Sequence, residues 1–180
     1  MHIGDKPDAG PGRMIAPLLA ALIGVAALAG CGGPDFEAVS EYKGFLEQAK
    51  PSLNKMNRVR EDLFQLSDPD EVLPKFRDEL LPVVKQLSQL AKEHPTPETS
   101  RLAEIHVTLR NVLRDYAEAT ATLVERLQKV EAGDKSDPDK RDEARELAVI
   151  AWGEDDQKFG AHMETLAADL TRYLDDQMKH

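Results

Sequence analysis

From residue 36 to residue 173 the apolar side chains recur every three or four positions, which leaves little choice of architecture. The first run is Phe36, Val39, Tyr42, Leu46, Ala49, Leu53, Met56, Val59, Leu63 and Leu66. A period near 3.6 places these on one face of a helix, and no window shows the strict alternation of a half-buried strand. Pro51 interrupts the run but the phase continues, so one kinked helix is expected rather than two. Ser67-Asp68-Pro69-Asp70-Glu71 then supplies a cap, a proline for the first helical position and acids for the first turn. The second helix, residues 69–93, carries Leu73, Phe76, Leu80, Val83, Leu87 and Leu90. Pro74 is expected to delay its start and Pro82 to kink it.

Two further helices follow. Thr96, Pro97 and Glu98 predict a start at residue 97 after the stiff turn His94-Pro95. Its stripe is Leu102, Ile105, Leu109, Val112, Tyr116, Leu123, Leu127 and Val130, ending near Ala132-Gly133. Pro138 opens the last helix, which carries Ala144, Leu147, Ala148, Trp152, Phe159, Met163, Leu166, Leu170 and Tyr173. Short connections make neighbours antiparallel, so the fold expected is all-α. It is an up-down-up-down four-helix bundle with kinked helices and an extended two-helix hairpin tip. The tip follows from length: helices over 97–132 and 138–178 span about 54 and about 61 Å, against about 38 Å for 69–93. Pivoting at the turns near 95 and 134 sets position 69 level with 121 and 148. Residues 122–147 would then protrude as a charged hairpin, a candidate site for a protein partner.

Charge limits the partners. The 180 residues hold 33 acidic and 23 basic side chains, a net charge of −10. Nucleic-acid binding needs clustered Lys and Arg, so that class is excluded. One cysteine rules out an intrachain disulfide framework and a Cys-rich metal centre.

That cysteine stands in an informative place. Residues 1–13 are polar and end in Arg13; Ile15 to Leu28 are fourteen residues without charge; Leu28-Ala29-Gly30-Cys31 follows, then Gly32-Gly33-Pro34. A charged lead, a short apolar stretch and small residues at its end make a secretory signal pattern, too short to span a bilayer stably. Leu28-Ala29-Gly30-Cys31 resembles the lipobox of bacterial lipoproteins. The resemblance implies cleavage after Gly30, a diacylglycerol on the Cys31 sulfur and an acylated new amino terminus. Membrane lipid would then be a partner, and two or three chains hold a bilayer where one does so only marginally. Gly32 in place of Asp next to the anchor favours the outer membrane in a two-membrane host. The expected organisation is a cleaved signal peptide at 1–30, a lipid-anchored linker at 31–35 and a helical domain at 36–180. Met14 is an alternative start, though it discards Arg13.

Catalytic motifs are scarce. Gly-x-Ser-x-Gly, His-Glu-x-x-His and a phosphate-cradling glycine loop are all missing, as is the Glu-x-x-His of di-iron bundles. The expectation is a non-enzymatic interaction or structural protein of the cell envelope, without a cofactor. One alternative has chemistry. The level arithmetic sets His106 beside His162 and Met163, near Pro51, Pro82 and Gly160, and imidazole with thioether suits copper or haem. Asp155 falls on the stripe between Trp152 and Phe159, where a carboxylate needs a partner or turns to water. Trp152, the sole tryptophan, is expected in the core.

Overall fold

A computed structural model describes residues 36–66, 68–98, 100–133 and 137–177. The signal-like leader and Cys31 lie outside the described residues. Among the described residues the regular structure is entirely helical, in four helices. Helix α1 is Phe36–Gln65. Helix α2 covers residues 69–93 in three stretches, Pro69–Pro74, Lys75–Leu80 and Leu81–Glu93. Helix α3 is Ser100–Ala132 and α4 is Pro138–Gln177. No described helix is long and apolar enough to cross a membrane.

Helix α1 runs through Pro51 as one element, with the proline ring exposed. Asp68 caps α2 as its sequence suggests: its carboxylate accepts the Asp70 N–H at 2.9 Å, and Pro69 takes the first turn, where no donor is needed. Pro74 does not delay α2. The prolines act differently: Lys75–Leu80 is a π-helical stretch, closed by the Leu81 N–H donating to the Phe76 carbonyl five residues back. Pro82 has no N–H to return to Asp78, and the wider turn accommodates that missing bond. Helix α3 starts at Ser100 rather than 97. Residues that precede proline avoid the helical region, and His94 before Pro95 is extended at φ −67°, ψ 130°.

The contacts across that turn correct the level arithmetic. The His94 and His106 ring centres are 5.3 Å apart, so α2 and α3 pair about residue 100 rather than 95, and each level on α3 shifts by about ten residues. Arg145 of α4 donates to Glu131 of α3 and, at 3.0 Å, to Asp70 of α2. The start of α2 is therefore level with 131 and 145. Residues 122–147 do not stand clear of α2 as a free hairpin.

Helices α3 and α4 pack together most extensively; α2 packs on α3, and α1 on α2. The α4 seam is Arg145, Ala148, Trp152, Asp156, Phe159, Met163, Leu166, Leu170 and Tyr173. Its spacing averages three and a half residues, as in a coiled coil. Leu147, expected inside, is 60% exposed, because the seam passes through Arg145 and Ala148 instead. All four helices meet at Trp152. Its indole lies 4.7 Å from the Phe76 ring, 6.2 Å from Tyr116 and 6.4 Å from Phe64.

Candidate functional site

Three places hold chemistry. The first is a charged network in the core. Arg60 on α1 forks onto Asp156 on α4, Nε to Oδ1 and Nη2 to Oδ2, both at 2.7 Å. Tyr116 of α3 donates its hydroxyl to the same Oδ1 at 2.6 Å. The Arg60 guanidinium also lies 5.5 Å from the centre of the Phe159 ring, which stacks on Tyr116 at 4.0 Å. Arg60 and Asp156 are 2% and 4% exposed. Burial alone would lower the Arg60 pKa, but the Asp156 hydrogen bond and the charge beside it hold it above its ordinary value. Burial, then the Asp156 charge, push the Tyr116 phenol well up. Arg60, Asp156 and Tyr116 bond to one another in the core, so the network ties three helices together, and the Tyr116 and Phe159 rings back the groove that His162 lines.

Sequence reasoning missed Arg60 and Asp156, and its reading of Asp155 as turned toward water agrees with a side chain 45% exposed. Asp155 is half-buried and receives Lys158 at 3.2 Å, while Asp156 enters the core. The signal was present: Arg60 follows Met56 by four, and Asp156 follows Trp152 by four and precedes Phe159 by three. Each stripe thus carried one charge of opposite sign.

The second place is an aromatic and histidine cluster where α2 turns into α3. His106 has no exposed surface. Tyr42, Phe45 and His94 surround it edge-on, with ring centres 5.7, 5.5 and 5.3 Å away. Phe45 stacks on His94 at 4.5 Å. Neither ring nitrogen of His106 makes a well-formed hydrogen bond, nor does the Tyr42 hydroxyl. Burial first, then the charges of His94 and Arg110, lower the His106 pKa, although the Ala91 and His94 carbonyls nearby oppose this. Burial also lowers His94, with Glu41 opposing, and raises the Tyr42 phenol.

The structure does not bring the two expected imidazoles together. His162 is exposed and lines a groove with Thr108, Val112, Asp115 and Ala119 of α3. At 100° per residue, His106 projects from the opposite side of α3 to those four. Met163 is fully buried in the core. Among the described residues no group of three or more His, Cys, Asp or Glu side chains is arranged to hold a metal ion.

The third place is a groove of about 540 Å³ between the α1–α2 turn and the first half of α4. Leu66, Val72, Val149 and Ile150 form its apolar part. Asp68, Asp139, Asp142, Glu143 and Glu146 form its rim. Arg145 is the one base there, and Glu131, Asp142 and Asp70 already surround it. Among the described residues the exposed large apolar side chains are Phe64, Leu147 and Ile150, and Ile150 lines this groove. Compared with protein-family models, curated proteins and solved structures, the chain matches none.

Proposed function

We propose that this chain is a lipid-anchored protein of the bacterial cell envelope that binds another protein and carries out no chemistry of its own. The anchor reading rests on Leu28-Ala29-Gly30-Cys31 behind an uncharged stretch. The binding reading rests on one observation: Ile150, 56% exposed, lines a groove with Leu66, Val72 and Val149, and the exposed Leu147 stands one helical turn before it on α4. An apolar patch rimmed by polar groups favours a macromolecular partner. The buried polar groups point away from catalysis, since Arg60, Asp156 and His106 face one another or aromatic rings rather than an accessible cleft.

In this reading the four helices form an up-down-up-down bundle bent at its prolines. Short connections and the bonds from Arg60 and Tyr116 to Asp156 support that arrangement. The start of α1 would face the membrane, and the partner surface would stand at the other end. Mass spectrometry of the protein purified from its own cells tests the anchor. The expected species begins at Cys31 and carries acyl chains. Residues 1–30 still attached to an unmodified thiol would remove the anchor and the envelope together.

A further inference from the structure

We infer that the groove between the α1–α2 turn and the start of α4 is a docking site for a basic amphipathic helix of a partner protein. The inference rests on the binding reading above and adds the partner's chemistry. On α4, residues 139, 142, 143, 146, 149 and 150 share one helical face, so the groove wall has two zones. Asp139, Asp142, Glu143 and Glu146 fill its first two turns, and Val149 with Ile150 fill the next. Leu66 and Val72 extend the apolar zone across to α2. Ile150 is 56% exposed and flanked by Leu147 at 60%, although an ordinary surface helix turns such side chains inward.

Charge selects the occupant. Arg145 is neutralised within the chain, while Asp139, Glu143 and Glu146 hold no cation among the described residues. A second copy would set acids against acids, and an anionic membrane would be repelled by the same rim. The chain's own leader carries only Lys6 and Arg13 as bases, with Asp5, Asp8 and Asp35 beside them, and so offers no basic face for the rim. A partner helix with Leu-type anchors over Val72, Val149 and Ile150, and Lys or Arg over Glu143 and Glu146, meets both zones.

The test uses the full chain carrying Cys31→Ser, which leaves acylation out, so loss of the lipid anchor and loss of this site are separate results. Fluorescence anisotropy follows a labelled synthetic Leu/Lys amphipathic helix and its Leu/Glu counterpart. The Leu/Lys helix is expected to bind, more weakly as salt rises. Affinity should fall about ten-fold in Ile150→Ser and at least about ten-fold in Glu143→Lys with Glu146→Lys. The charge-reversed chain should now accept the Leu/Glu helix. Glu37→Lys with Glu41→Lys changes net charge equally at the distant end and should leave affinity unchanged. The inference is overturned by no binding, by equal loss in the distant variant, or by equal binding of the two peptides to the unaltered groove. It is likewise overturned if Ile150→Ser abolishes self-association or vesicle binding instead.

Discussion

Asp156 accepts three hydrogen bonds with almost no contact with water, so its worth depends on what remains when it is removed. Asp156→Ala would leave Arg60 charged and buried, at a cost of about 3–5 kcal/mol in urea unfolding followed by circular dichroism. Replacing the set together, Arg60→Met with Asp156→Leu and Tyr116→Phe, is expected to restore stability to at least that of the unaltered chain. A combined variant as weak as the single one would mean the network adds net stability of its own. His106 gives a second prediction at this scale. Burial depresses His106 and His94, so the unfolded chain takes up protons first as pH falls below about 6.5. Stability is therefore complete above that pH and declines as pH drops toward the folded values, by at most about 1.4 kcal/mol per unit for each histidine. His106→Leu should shrink the loss of urea midpoint between about pH 7.5 and about pH 5.5, and an unchanged loss would assign the effect to other groups. The choice between Asp155 and Asp156 shows why sequence stopped short. Both satisfy three-or-four spacing, and only the rotation of α4 against α1 and α3 decides which turns inward.

The four helices were legible because caps, prolines and stripes agreed: Asp68-Pro69 and Pro138 each start an element where expected. Two features were not. The π-helical stretch needs the bond from Leu81 to Phe76, which no pattern of apolar residues announces. The late start of α3 depends on how far the proline-rich turn runs along the end of the molecule. The pairing centre moved by five residues, from 95 to 100, which became ten in the pairing of α2 with α3, and the protruding hairpin vanished with them. Arg145 is the visible sign of the true pairing, since it ties Asp70, Glu131 and Asp142 together with 7% of its side chain exposed. Arg145→Met keeps the stem and removes the three ionic bonds. Amide exchange over residues 70–74 should accelerate by about ten-fold while residues 83–91 hold their protection. Uniform acceleration along α2 would place the effect in the whole core rather than at this junction.

At the scale of the molecule, the net charge of −10 narrows the chemistry of a partner, and a single cysteine precludes an intrachain disulfide framework. The groove was hidden from the sequence because Leu147 read as a member of the apolar stripe and Ile150 fell outside it, whereas the seam through Arg145 and Ala148 leaves both exposed. The convergence at Trp152 has a practical consequence. One indole touches a ring from each of the other three helices and is 3% exposed. Its emission is thus a single optical readout for the whole assembly. A red shift would report that at least one helix has swung away, and because no second tryptophan contributes, the colour of that light needs no deconvolution.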